Sequence, residues 1–570
     1  MRRSILTAAC LLGGVSACSP LRQPLGSLMA ATTGGAGGGA PAGASGSAGA
    51  VVLKGNQIPS LPPEWGACDP TAFRCYQDPR LPLSPSPSAL FGGAPDPDAA
   101  AKPQIAYPLP GAMHPINLAD ITFQWRRGPA VAQTVFRIRL RRANGDVFEL
   151  FVPCDHAGTG GPPVDTECVS HLPPGAWLDV AATARGETLT VDVAGADPTR
   201  PNAVATSDPL TLAFSPEDVR GGLYYWTSKL TGTARLLFGA GAAQPFIVPA
   251  SPSNPATCGG CHAVSRDGST IAFEQGDTAS GVLRVAATAH AETPLFPPAA
   301  SHDSGTQALN HDGSRVLVSY SGRLFLRDTA TGRTLFEVNE TQLGLTQHAF
   351  HPEWSPDDRS IAVTVSAQGD ADWSVRTGDI GVLPYNDGQF GPVETLVPTG
   401  TEFNFYPTWS PDGQWIAFAT APVGPTQTSY QQVRARLRLV NRDTRAVSEL
   451  VAASGAAGST STWPKFAPFT QPGGLMFLTF NSKMDYGFFL PSNAGGLAQL
   501  WMSVLDVSKL AQAGADASRP PVWLPFQDVG EHSYLGWWAE RIACDPGAAS
   551  ASTCGDQQVC DGGACAMVKP

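Results

Sequence analysis

The sequence predicts an all-β protein, a six-bladed β-propeller preceded by an antiparallel β-sandwich. Three observations predict it. The 570 residues include 61 Gly and 52 Pro with only 15% charged residues, a composition that suits turn-rich sheets better than helical bundles. Residues 103–216 alternate apolar and polar at period two. The second half repeats a strand–turn–strand unit with aspartates at 267, 312, 357 and 412.

The N-terminus reads as an address. Arg2 and Arg3 precede a short apolar run from Ile5 to Val15, and Val15-Ser16-Ala17-Cys18 follows. The run is too short to span a bilayer. The four residues resemble a bacterial lipobox, which implies a signal peptide over 1–18 and lipidation of Cys18. Several acyl chains hold a protein stably on a membrane, at about 0.8 kcal/mol per buried methylene. The expected location is the outer membrane, on its periplasmic or extracellular face. Residues 19–102 are Gly/Ala-rich and then Pro-rich, which predicts a flexible linker.

Export makes the cysteines interpretable as disulfides. Cys68 and Cys75 would pin the linker, and Cys154 and Cys168 would staple a loop of the sandwich. Cys544, Cys554, Cys560 and Cys565 would hold a C-terminal tail over 544–570, with their pairing left open.

The sandwich occupies 103–217 and is expected to be of the immunoglobulin or fibronectin type III kind. Ile121, Phe123 and Trp125 point one way. Phe136, Ile138 and Leu140 alternate with Arg137, Arg139 and Arg141, so one face is expected buried and the other wet.

The repeats occupy 218–543. Asp267-Gly268 precedes Ile271-Ala272-Phe273, and Asp312-Gly313 precedes Val316-Leu317-Val318. Trp354-Ser355-Pro356-Asp357-Asp358 precedes Ile361-Ala362-Val363. Trp409-Ser410-Pro411-Asp412-Gly413 precedes Ile416-Ala417-Phe418. A degenerate copy begins at Trp463. Tyr534 to Trp538 reads as an inner strand lacking outer partners, and Gly222–Trp226 as an outer strand lacking an inner one. Pairing them makes a sixth blade and leaves no free sheet edge. The recurring Asp-Gly pairs read as hairpin turns rather than catalytic acids. The tryptophans read mainly as packing between blades.

The Trp-Ser-Pro-Asp-Gly-x-x-Ile-Ala-Phe pattern is similar to the blade repeat of TolB-like propellers, periplasmic proteins of the Tol–Pal system and their relatives. Tricorn-type and prolyl-peptidase propellers share the repeat. The resemblance implies the fold over about 218–543. The lipid anchor, sandwich and Cys-rich tail depart from TolB itself.

One motif carries sharper chemistry: Cys258-Gly259-Gly260-Cys261-His262. Cys-x-x-Cys-His is how c-type haem is attached, with His262 as the iron ligand. The same residues also read as a Cys258–Cys261 disulfide beside an ordinary histidine, or as a redox pair. Aligning the repeats puts Cys261 in one column with Thr306, His351, Tyr406, Trp463 and, through the closing strand, Tyr534. That column is expected at the channel mouth.

Net charge is −11 and no basic stripe appears, which excludes a nucleic-acid partner. No Gly-x-Ser-x-Gly elbow, Walker A, Rossmann fingerprint or His-Glu-x-x-His is present. The expected function is therefore a lipid-anchored envelope protein that binds a protein, peptide or glycan at the mouth or loops. The alternative is a monohaem redox protein using Cys258, Cys261 and His262.

Overall fold

The alternation from 103 onward produces two sheets. The computed structural model describes residues 72–567, with breaks of which the longest are 249–258, 296–304 and 339–347. Cys18, Cys68 and Cys258 lie outside the described residues. The larger front sheet is built on Val135–Arg141, with Val147–Pro153 and Thr188–Ala196 antiparallel on either side. The smaller is Gln104–Tyr107, Thr122–Arg126 and Glu167–His171. They meet through Trp125 and Phe136, whose rings lie 5.0 Å apart.

The front region differs from expectation in three ways. Pro174–Thr183 is an α-helix. Pro174 suits a first helical turn and the following alanines suit its interior. Its Trp177 is buried against Phe123, Phe214 and His114. The sheet is also not purely antiparallel, because Arg74–Gln77, Ala94–Pro95 and Met113–His114 join it in parallel.

The third difference concerns the segment read as linker, which covers the face read as wet. Cys75, Leu81, Leu90 and Phe91 pack on Val135, Phe151, Ala194 and Val204. The arginines of that face are paired. Arg137 bonds ionically with Glu149 at 3.4 Å and lies 5.0 Å from the Phe91 ring. Arg139 and Arg141 converge on buried Asp192 at 3.3 and 2.9 Å. Cys75 is disulfide-bonded.

Among the described residues, six sheets then follow one another. Their first strands are β1 (Gly259–Val264), β2 (Thr306–Leu309), β3 (His348–Trp354), β4 (Glu402–Trp409), β5 (Ser461–Gln471) and β6 (Ser533–Ala539). Each packs against the next, and β6 packs back against β1, so the sheets form a closed β-propeller ring. The last sheet joins the two ends of the ring's chain. Gly222–Thr227 pairs antiparallel with β6, with Leu223 opposite Trp538 and Thr227 opposite Ser533.

The Asp turns recur with one geometry. Ser265, Ser355 and Ser410 donate Oγ–H to the carboxylates of Asp267, Asp357 and Asp412, two residues on, at 2.5–2.7 Å. The next residue is left-handed, which Gly268 and Gly413 adopt freely and Asp358 adopts at φ 57°. These carboxylates are turn caps.

The front region and the ring share one apolar core. Tyr486, in the loop after the second strand of the fifth sheet, is its pivot. It stacks on Trp523 at 4.2 Å and meets Tyr107 edge-on at 5.0 Å. The Tyr107 hydroxyl accepts from the Trp523 N–H at 3.0 Å. Between described residues three disulfides are present: Cys154–Cys168, Cys544–Cys560 and Cys554–Cys565. The last two tie the tail onto the ring beside Tyr224 and Ile542.

Candidate ligand-binding mouth of the ring

The first strands do not run straight. Cys261, His351, Tyr406, Trp463 and Leu535 all have φ between 45° and 59°. Each lies in a break of strand register, at 260/263, 350/353, 405/408, 462/465 and, across the closing pair, 224/226. These are β-bulges. A left-handed non-glycine residue costs on the order of 1–2 kcal/mol, and such outliers concentrate at working sites. The bulge turns one side chain per sheet toward the axis.

The column aligned in the sequence thus meets around one open cavity, lined by Cys261, Thr306, His351, Tyr406 and Trp463. Thr306 reaches it from a strand without the left-handed turn. In the closing strand Leu535 occupies the bulge. Tyr534 instead lines an adjoining cavity of similar size, with Trp226, Tyr430 and Gly260. Cys261, Trp463 and Leu535 belong to both cavities.

The walls are aromatic. Tyr406 and Trp463 stack with centroids 3.5 Å apart, and His351 lies 4.3 Å from Tyr406. Trp226 and Tyr534 lie 5.8 Å apart, and His532 stacks on Tyr534 at 5.5 Å. Flat aromatic surfaces of this kind bind rings and apolar faces at little entropic cost. Trp354, Trp409 and Trp538 are buried between sheets, whereas Trp463 and Trp537 face the cavities.

Two residues beyond the bulge lies a charged layer that the sequence reading missed. Glu353, Thr408 and Lys465 occupy that position in three neighbouring sheets, and Trp537 in the closing one. The Lys465 ammonium forms an ion pair with Glu353 and sits 3.6 Å from the Trp537 ring centre. Thr408 Oγ–H donates to the other Glu353 oxygen at 2.6 Å. Burial pushes the Lys465 ammonium below the usual lysine range, and Glu353 opposes that push. This layer floors the mouth. Further along the same strands a third cavity includes Arg266, His311, Trp354 and Trp409 in its wall.

His262 is set into the wall. It is 1% exposed, and its Nε2–H donates to the Tyr224 carbonyl at 3.2 Å. That bond fixes the tautomer and leaves Nδ1 buried with no hydrogen-bond partner. Burial pulls its pKa down to about 4. A covalent haem needs a histidine nitrogen on its iron. Here Nε2 is held by Tyr224, and the ring is walled in by protein, so the described residues do not fit that role.

No family model matches the chain, and no curated protein matches it. Solved structures give low-identity likenesses. TolB from Acinetobacter baumannii is 14% identical, with TM-score 0.37, over 61% of this chain and 79% of that one. A nidogen/laminin complex is 13% identical, with TM-score 0.34, over 56% and 97%. A putative TolB from Agrobacterium tumefaciens is 16% identical, with TM-score 0.29, over 56% and 99%.

Proposed function

We propose that this chain is a lipid-anchored cell-envelope protein that binds a ligand in the mouth of a six-bladed, TolB-like propeller. The observation that carries the reading is the set of five left-handed bulges delivering His351, Tyr406 and Trp463 to one cavity. Strain repeated around a ring and pointed at a concave aromatic surface is the signature of a binding site. The paired sheets in front serve as a sandwich domain fixed rigidly to the ring, and Cys18 supplies the anchor.

Two measurements test this. A benzoyl-phenylalanine photocrosslinker at Tyr430 should yield adducts in envelope preparations that are lost in Trp463→Ala. The same crosslinker at exposed Val447 should yield none. Equal labelling at both positions contradicts a mouth site. Palmitate labelling and membrane retention should vanish in Cys18→Ala, and retention of both contradicts the anchor.

A further inference from the structure

Four aromatic rings wall the second mouth cavity: Trp226, Tyr430, Trp463 and Tyr534. Each is fixed from outside the cavity. Trp226 and Tyr534 are direct partners across the closing strand pair, with rings 5.8 Å apart. The Tyr534 hydroxyl donates to His532 Nδ1 at 3.2 Å, an atom that also accepts the Ala498 N–H at 3.1 Å. Trp463 is stacked on Tyr406. Tyr430 follows Ser429, whose N–H donates to the Val375 carbonyl at 2.8 Å and whose Oγ–H donates to the Tyr406 hydroxyl at 3.4 Å. The rings are therefore in place before a ligand arrives, which lowers the entropic cost of binding.

The rest of the wall adds little polarity. Its other described residues are Gly260, Cys261 and Leu535, so no carboxylate, carboxamide, ammonium or guanidinium lines it among the described residues. Lys465 lines the first cavity and not this one, and its charge is paired with Glu353. That composition sorts ligands by charge. An anion finds no cation to pair with. A sugar finds few groups for its hydroxyls, and a buried hydroxyl without a partner is costly. A primary ammonium brings three N–H donors that meet the same lack. A trimethylammonium group carries positive charge with no donor to satisfy, and the negative faces of indole and phenol rings attract it. The net charge of −11 also favours the approach of cations.

We infer that this cavity binds a quaternary ammonium group, caged by Trp226, Tyr430, Trp463 and Tyr534. The inference rests on the mouth being the binding site. A free solute such as choline and a phosphatidylcholine headgroup present the same trimethylammonium, and the test separates them.

The test is calorimetric titration of the full chain at pH 7 with two matched pairs. Choline is set beside its neutral isostere 3,3-dimethylbutan-1-ol, and dihexanoyl-phosphatidylcholine beside dihexanoyl-phosphatidylglycerol. In at least one pair the trimethylammonium member should bind about tenfold or more tightly. Tighter binding of choline assigns a free solute, and tighter binding of the lipid assigns a headgroup. Tyr430 is half-buried on a loop, so its replacement should leave the fold intact. Tyr430→Leu should cut the preference to about threefold or less, and Tyr430→Phe should keep it, because the ring face makes the contact. Tyr534→Leu should repeat the leucine result. Choline and its isostere binding equally, both lost in Trp463→Ala, overturns the cation assignment and leaves the mouth standing. Binding of no probe overturns it too, and crosslinked adducts at Tyr430 would then show the mouth still in use. A preference that survives both leucine variants, or is lost in Tyr430→Phe, also overturns it.

Discussion

Tyr224 and Trp537 face each other as direct partners in one antiparallel strand pair, although they come from opposite ends of the ring's chain. The pairing leaves the ring without an open edge between its first and last sheets. It also positions the mouth, because the Tyr224 carbonyl holds His262 and the Trp537 ring lies against Lys465. Closure and site are therefore one structural event.

The front region should not unfold apart from the ring. Tyr486 is 2% exposed between Tyr107 and Trp523. Tyr486→Ala should cost about 3–5 kcal/mol, as for other large aromatic truncations in a core. Gly487 has φ 53°, and a Cβ there would stand 2.1 Å from Gln124 Oε1, which accepts the Phe488 N–H at 2.6 Å. Gly487→Ala should therefore also destabilise. Calorimetry should show one transition in the wild type and a split or markedly earlier one in these variants.

The Lys465–Glu353 pair should behave as a coupled unit. Removing either partner leaves a buried charge alone, at a cost of about 3–5 kcal/mol. Lys465→Met combined with Glu353→Gln should recover most of that loss. Urea midpoints around the double-mutant cycle measure the coupling, and simple additivity of the two single changes contradicts the pairing.

Acid should destabilise the fold in a defined window. Burial lowers the pKa of His114 and of His262 to about 4, from 6.5. Between those values the unfolded chain binds protons that the folded protein refuses. Stability is then full above pH 6.5 and falls as pH drops toward 4, by on the order of 3 kcal/mol for each histidine. Melting temperatures at pH 7.5 and 5.0 should show the drop, and His114→Phe should reduce it.

Covalent haem should be absent. Co-expressed with a cytochrome c maturation system and then denatured, the chain should give no haem-stained band and no pyridine haemochrome spectrum. A stained band would mean that His262 leaves Tyr224 to reach an iron.

Much of this was legible in the sequence because repetition carries register. The aspartate spacing located the turns, and aligning on them put Thr306, His351, Tyr406 and Trp463 in the column that now lines one cavity. The closing strand was placed one residue off. Tyr534-Leu535-Gly536 lacks the aspartate turn that aligns the others, so Leu535 rather than Tyr534 takes the bulge. The charged floor was missed although its signal was present. Reading two residues past the column gives Glu353, Thr408 and Lys465. The cover over Arg137 was illegible for a different reason. Proline-rich sequence has no periodicity, and only the tertiary contacts of Leu90 and Phe91 reveal where it lies.

The most direct test of closure is a disulfide between Thr227→Cys and Ser533→Cys, both buried small residues and direct strand partners. Antiparallel partners hold their Cα atoms within about 4.5–5.5 Å, inside the range a disulfide spans. Peptide mapping of the full chain exported to an oxidising compartment should find the two positions linked, with a raised melting temperature. A folded protein in which both cysteines remain reduced, or pair elsewhere, would contradict a ring sealed by its two chain ends.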